Sequence, residues 1–236
     1  MGLVASFHLI SERSGRQPVV LARLATDRCR LDAVDGLLFA RTLGTGRGSD
    51  TGPSIDARRS ALVLFWRDAH AAEAFLAQHP LPTRWRQAAE HWSAVLRPID
   101  VRGSWDGFEP RPRTATPACH DAEAGPVAVL TRATVRLRST PAFVRTSRRV
   151  AVSTGRARGL RAVVGVGERP IGRLGTFSVW DDLATAQRFA SDDPDHRSAA
   201  VAARRDGWFS EEMFATFEPT STEGTWAGVD PLYQTK

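Results

Sequence analysis

The chain has 236 residues, enough for one large or two small domains, and its 42% of hydrophobic residues is sufficient for a globular core. The formal net charge of +6 is spread along the chain without a dense basic tract, which does not favour a nucleic-acid partner. No run of 18 apolar residues and no signal-peptide pattern is present, so we expect no transmembrane segment and a cytoplasmic location. The two cysteines, Cys29 and Cys119, lack metal-site spacing and fit reduced thiols.

The first half of the chain alternates short apolar strands with helical patterns. Strands are predicted at 4–10, 60–66 and 95–101, a helical region with a turn at 18–38, and helices at 69–78 and 82–93. The stretch from Gly44 to Gly48 predicts a turn. It has neither the Lys-Ser/Thr ending of a P-loop nor the spacing of a dinucleotide-binding loop.

A poorly patterned, proline-bearing stretch then separates two similar series of elements. Strands are predicted again at 127–135, 176–180 and 213–217, and helices after Pro141, at 183–190 and at 193–207. The apolar stretch at 163–167 precedes a turn. We therefore divide the chain into a first half (1–109), a linker (110–124) and a second half (125–236).

The two halves also share tryptophan landmarks. Trp66 and Trp180 are 114 residues apart, Trp92 and Trp208 are 116 apart, and Trp105 and Trp226 are 121 apart. Each half follows the β-α-β-β-α-β order of a ferredoxin-like fold. The predicted fold class is therefore α+β, with tandem ferredoxin-like repeats whose sheets pack together or close into a barrel and leave a cavity between sheet and helices.

The helix predicted at 193–207 is a candidate wall of that cavity. Asp193 can cap its free backbone N–H groups, and Pro194 is tolerated in its first turn. The alanines that follow leave room for a bulky neighbour. His196 lies in the first turn and could point into a cavity, although on the residues alone a partly exposed surface histidine is the simpler interpretation.

Seven short segments carry a resemblance to a known family. They are 130–135, 164–168, 177–180 and 208–212 in the second half, and 44–46, 97–98 and 103–107 in the first. They resemble the spheroidene monooxygenase family, the acyclic carotenoid ketolases and their relatives, over most of residues 3–226. The resemblance implies a haem-containing protein with a dimeric α/β-barrel-type fold, similar to chlorite dismutases and aldoxime dehydratases.

The same resemblance assigns candidate site residues. The family histidine that precedes the Trp-Phe motif falls on His196, which becomes the expected iron ligand of haem b, since a neutral imidazole suits iron. Arg132 and Thr134 share one face of a strand and are the candidate catalytic residues. If that face lines the cavity, Arg132 could pair with a haem propionate or donate a hydrogen bond on the distal side. A polar strand face that meets solvent is the alternative.

The other histidines are the next candidates for the ligand and otherwise fit surface, cap or linker positions: His8, His70, His79, His91 and His120. Trp180 and Trp208 are expected to pack in the core, and Glu211 and Glu212 to face water.

The function implied by the resemblance is a haem-dependent monooxygenase. It would act on a small hydrophobic or natural-product substrate with O₂ or peroxide, with a possible electron-donor protein and possible oligomerisation. Three alternatives remain open at this point: haem-dependent dehydration or rearrangement at an N–O bond, a cofactor-free monooxygenase, and a non-catalytic protein that binds haem or another small ligand.

Overall fold

The computed structural model describes residues 2–48, 55–110, 125–169 and 171–233. Eight antiparallel strands form a closed barrel in the order β1-β3-β2-β6-β7-β5-β8-β4. The strands are β1 (Val4–Ser11), β2 (Leu37–Gly46), β3 (Ile55–Trp66), β4 (Glu90–Gly103), β5 (Val127–Val135), β6 (Leu160–Gly167), β7 (Arg173–Trp180) and β8 (Phe209–Gly224).

Six α-helices contact the sheet or one another on the outside of the barrel. They are α1 (Gln17–Leu31), α2 (Ala69–Gln78), α3 (Pro80–Arg86), α4 (Thr140–Gly155), α5 (Leu183–Asp192) and α6 (Pro194–Arg205), with a 3₁₀ turn at Leu137–Ser139. The helices that follow β3 and β7 begin in the same way: Asp68 accepts a hydrogen bond from the Ala71 N–H, and Asp182 accepts one from the Thr185 N–H. No helix in the described part of the chain is long and apolar enough to cross a membrane.

The two halves are structural repeats, and the predicted fold class is confirmed. The sheet order is β4-β1-β3-β2 in the first half and β8-β5-β7-β6 in the second, both ferredoxin-like. Trp66 pairs with Val4 and Trp180 pairs with Val127, so the tryptophan landmark marks the same register position in each half. The halves join along β4 and β8 and through a short pairing of Gly44 with Gly167.

Three details of the sequence-based prediction are wrong. The helix predicted at 82–93 ends at Arg86, and its last residues belong to β4. Residues 44–46 are the end of β2 rather than a turn, because their backbone pairs with β3 and β6. Trp92 does not correspond to Trp208, since Trp92 lies within β4 and Trp208 precedes β8. The predicted linker lies, apart from its first residue, outside the described residues.

The barrel interior is filled with apolar side chains, including Phe7, Trp92 and Phe177. A short turn follows the last strand of each half and contributes one tryptophan to this core, Trp105 in the first half and Trp226 in the second. The interior therefore belongs to the hydrophobic core and offers no room for a large ligand.

A glutamate from the opposite half holds each of these turns. Glu211 accepts hydrogen bonds from the Ser104 hydroxyl and the Gly107 N–H, and Glu90 accepts them from the Thr225 hydroxyl and the Gly228 N–H. In each half, the turn at the barrel end is therefore held by hydrogen bonds to a glutamate of the other half.

Candidate functional site

The two halves differ most where the helices cover the sheet. In the first half this interface is a filled core of buried side chains from β1, β3, β4 and the three helices. Its members are Val4, Ile10, Leu31, Leu62, Leu64, Trp66, Ala71, Ala72, Phe75, Leu81, Trp85 and Val95. Close packing of this kind leaves no room between the helices and the sheet. The cavity that this half does contain, of about 440 Å³, is lined by residues of α1, α2 and the loops that follow them, among them Val34, His70 and His79.

In the second half the corresponding interface is only partly filled. Its core cluster contains three buried residues, Val127, Trp180 and Ala186, all near α5. Helix α4 has no buried residue, although it runs beside α6 and β6. The half-buried side chains on its inner face are Phe143, Val144, Ser147, Val150, Ala151 and Thr154. From this incomplete packing we infer a cleft between the sheet and the pair α4 and α6.

The strand register shows how the sequence opens this cleft. With the tryptophan pairings as reference, the second-half position of Ile10 is Ala133 and that of Leu62 is Thr176. Ile10 is 0% exposed and Leu62 is 1% exposed, whereas Ala133 and Thr176 are half-buried. Smaller side chains on the sheet have replaced the bulky ones that fill the first half.

Helix α6 contributes a second wall of small side chains. Successive members of the set His196, Ala199, Ala200 and Ala203 are three, one and three residues apart, so they share one face of the helix. Three of them are half-buried and Ala203 is buried, whereas the residues between them are mostly exposed. The alanine face predicted to leave room for a bulky neighbour thus faces inward.

A hydrogen bond at one ring nitrogen orients the His196 imidazole, as is common for histidines that bind a metal through the other nitrogen. Its backbone N–H donates to Asp193 at 2.8 Å, which fixes the start of α6. Its Nδ1 lies 3.0 Å from the carbonyl oxygen of Ala190, and its ring lies 5.4 Å from that of Phe189. A carbonyl can only accept, so Nδ1 carries a proton, and in the neutral imidazole the lone pair is then on Nε2. Among the described residues Nε2 has no hydrogen-bond partner.

The sheet-side wall contains two hydroxyl groups that sequence reasoning missed. The Oγ1 atoms of Thr131 and Thr176 are 2.8 Å apart on neighbouring strands. Thr131 lies on the same face of β5 as Val127 and Val129, which pack towards α5. The alternation along β5 indicated two faces but not which of them meets the cleft.

Arg132 lies on the other face of β5, inside the barrel beside Trp105. It is 3% exposed, and its guanidinium forms ion pairs with Glu211, with Glu168 at 3.3 Å and with Asp106 at 3.5 Å. The guanidinium carbon is 5.5 Å from the centroid of the Trp105 ring. Arg132 is therefore part of the closure of this barrel end.

Two further arginines complete this network of ion pairs. Arg41 from β2 lies 2.6 Å from Asp106, and Arg173 from β7 lies 3.0 Å from Asp106 and 3.1 Å from Glu168. With Arg132 and Glu211 the cluster has three positive and three negative groups. The positive and negative charges of this cluster are equal in number, and its ion pairs connect the two halves. We therefore interpret the cluster as a contact between the halves and not as an anion-binding site.

Glu211 was expected to face water, but this network holds it as a carboxylate at the barrel end. Burial alone would raise its pKa, but hydrogen bonds from the Gly107 N–H, the Ser104 hydroxyl and Arg132 outweigh burial and lower the pKa to about 2. Glu212, the next residue, is exposed as expected.

The structure does not bring Arg132 and Thr134 to His196. Arg132 faces the barrel interior, and both its Nε and the Thr134 Oγ1 are buried without a hydrogen-bond partner among the described residues. The solvent-facing alternative is therefore wrong for Arg132. The sheet separates both side chains from the cleft beneath α6. This geometry does not support the propionate-pairing or distal role expected of Arg132, nor the catalytic role expected of Thr134.

The other histidines among the described residues, His8, His70, His79 and His91, lie in the first half of the chain. His8 is fully buried in the first half, and its two ring nitrogens are each 2.9 Å from a hydroxyl, one of Ser6 and one of Ser93. Burial lowers its pKa to about 3, so it is a neutral core residue rather than a surface one. His79 accepts a hydrogen bond from the Leu81 N–H as a cap of α3, and His120 lies outside the described residues.

No group of three or more potential metal ligands occurs among the described residues. A single imidazole is nevertheless sufficient as the protein ligand of a haem iron. An unpaired Nε2, a small-residue helix face and a partly filled interface fit a flat, bulky, largely apolar cofactor.

Tandem ferredoxin-like repeats closed into one barrel, with a cleft in the second half, place the chain in the dimeric α/β-barrel class. The chain is 34% identical to spheroidene monooxygenase of Rhodobacter capsulatus, over 91% of this chain and 89% of the relative. It is 40% identical to that of Rubrivivax gelatinosus, over 82% of this chain and 73% of the relative. The chain belongs to the spheroidene monooxygenase family, which supports a monooxygenase activity. No protein-family model matches it.

Solved structures share the fold at low sequence identity. An aldoxime dehydratase (OxdRE) in complex with butyraldoxime has a TM-score of 0.63 and 10% identity, over 98% of this chain and 84% of the dehydratase. A second aldoxime dehydratase structure has a TM-score of 0.60 and 10% identity, over 93% of this chain and 82% of the dehydratase. These similarities establish the barrel architecture but not a reaction.

Proposed function

We propose that this protein is a haem-dependent monooxygenase of the cytoplasm that inserts one oxygen atom into a hydrophobic substrate. Haem b would bind in the cleft of the second half, with Nε2 of His196 as the iron ligand. The observation that carries the proposal is the contrast between the halves. The first half fills its helix–sheet interface, whereas the second lines it with small residues beside an unpaired imidazole nitrogen.

The task of His196 in this proposal is to hold and tune the cofactor. The Nδ1–H donated to the Ala190 carbonyl fixes the ring orientation and makes Nε2 a better donor to iron. Asp193 strengthens the arrangement from both sides, because it caps α6 at the His196 N–H and accepts a hydrogen bond from Ser153 of α4 at 3.1 Å. Bound haem would supply the redox chemistry that activates the oxidant.

The remaining walls of the cleft bind and orient the substrate. Val129 and Ala133 on the sheet and Phe143 on α4 offer apolar surface, which excludes water and suits a hydrophobic substrate of the kind that the relatives' name indicates. The Thr131 and Thr176 hydroxyls are polar groups of the sheet-side wall. One of them donates to the other, and the remaining hydroxyl hydrogen can be donated to the polar end of a substrate.

The stoichiometry of the reaction determines whether an electron donor is required. Conversion of C–H to C–OH by O₂ places one oxygen atom in the product and the other in water, and consumes two electrons and two protons from an external donor. With hydrogen peroxide as the oxidant, the same conversion releases water and needs no donor. An electron-donor protein is therefore required only for the O₂ reaction.

Two experiments test the proposal. Titration of the purified protein with haemin should produce a Soret band that is lost or shifted in His196→Ala and unchanged in His70→Ala, which alters an exposed histidine of α2. Absence of a Soret band in the parent after reconstitution would refute haem binding. Turnover of an apolar polyene with O₂ and a reductant, or with peroxide, should then depend on His196. Turnover of an aldoxime without any oxidant would instead establish a dehydratase.

A further inference from the structure

We propose that the outer faces of α4 and α6 dock onto a lipid bilayer that carries anionic headgroups. The sequence contains no Asp or Glu from residue 124 to residue 167 but nine arginines. They are Arg132, Arg136, Arg138, Arg145, Arg148, Arg149, Arg156, Arg158 and Arg161. These arginines are spread along the sequence, but the fold brings several of them together on one surface.

Helix α4 and its C-cap residue carry four of these arginines on one outer face. Arg145, Arg148, Arg149 and Arg156 are separated by three, one and seven residues, which keeps them on one side of the helix. All four are exposed, and within the part of the chain that the structure describes none has a carboxylate partner. They extend along about 16 Å of the helix, at 1.5 Å of rise per residue.

Helix α6 extends this basic surface. It packs beside α4, and its exposed face carries Arg197 and Arg204, which also have no carboxylate partner among the described residues. Arg205 is different, because it pairs with Asp206 at 2.7 Å. The inner faces of the same two helices form the roof of the cleft, so the basic surface and the cleft are two sides of one layer.

Exposed apolar side chains lie among the arginines. Leu137, immediately before α4, is 87% exposed, Val152 on the outer face of α4 is 55% exposed, and Val201 on the outer face of α6 is 59% exposed. Unpaired arginines with exposed aliphatic residues on the same helices are typical of interfacial helices, whose charges contact headgroups while their apolar groups enter the acyl boundary. An acidic protein partner would account for the charge but not for these aliphatic groups.

The test measures partition onto vesicles and is independent of haem and of turnover. The parent should cosediment with phosphatidylcholine vesicles that contain phosphatidylglycerol, weakly or not at all with phosphatidylcholine alone, and less as salt is raised. The variant R145Q/R148Q/R149Q should lose about fivefold in partition per arginine, or about a hundredfold in total.

A control variant separates this surface from net charge. R16Q/R28Q/R30Q removes the same charge from α1, the equivalent helix of the first half, and should bind the vesicles as the parent does. Leu137→Ser should weaken the binding that remains at high salt. Circular dichroism should show that both triple variants are folded.

Two results would overturn the proposal. The first is that the parent protein does not bind the anionic vesicles at low salt. In that case the basic surface would bind an acidic protein or another polyanion instead of a bilayer. The other is an equal loss of binding in the two triple variants, which would show that net charge rather than this surface is responsible.

Discussion

Filling the cleft should stabilise the protein, whereas filling a packed core would not. We consider Ala133→Ile on β5 together with Ala200→Leu on α6. Both alanines are half-buried and contribute to opposite walls of the cleft. The first substitution installs the residue that the first half has at the same register position, Ile10.

The size of the effect follows from the added apolar groups. The two substitutions add six methyl or methylene groups, and each contributes about 0.8 kcal/mol when it is fully buried. With roughly half of the added surface buried, the free energy of unfolding should rise by about 2 kcal/mol. For a chain of this size the melting temperature should then rise by about 4–8 °C. The filled cleft should no longer bind haemin.

Urea denaturation and thermal melts of the cofactor-free protein provide the assay. The matched control is Ile10→Ala in the first half, which creates a cavity in a filled core and should cost about 2–5 kcal/mol. A filled variant that is instead destabilised by about 1–3 kcal/mol, as overpacked cores are, would show that no cleft exists and would refute the reasoning.

Three further predictions concern the parts that support the site. Glu211 has a pKa of about 2 in the fold against an ordinary value of 4.5, so the stability that it contributes, about 3 kcal/mol, is present above pH 4.5 and is lost as the pH falls towards 2. Urea midpoints across that range should be flatter in Glu211→Gln than in the parent or in Glu212→Gln. Gly103→Ala would place a Cβ 2.0 Å from the Glu212 carbonyl oxygen at a φ of +81° and should lower the melting temperature strongly. Gly107→Ala, with a φ of +75° and no atom within 4 Å, should cost only about 1 kcal/mol. His8 is neutral in the fold with a pKa of about 3 against 6.5, so stability should fall as the pH drops from 6.5 towards 3. His8→Gln should reduce that slope, and an unchanged slope would contradict the assignment.

Local patterns in the sequence were sufficient to identify most elements. The alternation at 127–135 and the capping aspartate before each of α2, α5 and α6 are visible without a structure, because they depend on residues close together in the chain. The end of β2 was missed, since its glycines also read as a turn and only pairing with the other half shows that they are extended. Barrel closure itself is a long-range property of this kind.

The candidate site was only half predictable. Asp193, His196 and the following alanines describe a capped helix with one small-residue face, and the structure turns that face inward. On the strand, the sequence pointed to Arg132, which faces the barrel interior, whereas Thr131 lies on the face that packs towards α5. In a barrel covered by helices both faces of a strand are buried, so polarity does not identify the face that meets the cleft.

The most direct test of the central claim, that haem binds through His196, is rescue of a cavity variant. In His196→Gly the imidazole is removed while the Asp193 cap on the backbone N–H is kept. We expect the Soret band of the reconstituted parent to be lost or shifted in this variant and to be restored by added imidazole. Added imidazole should not change the spectrum of the parent. A His196→Gly protein whose spectrum equals that of the parent, or a spectrum that imidazole does not restore, would contradict the claim.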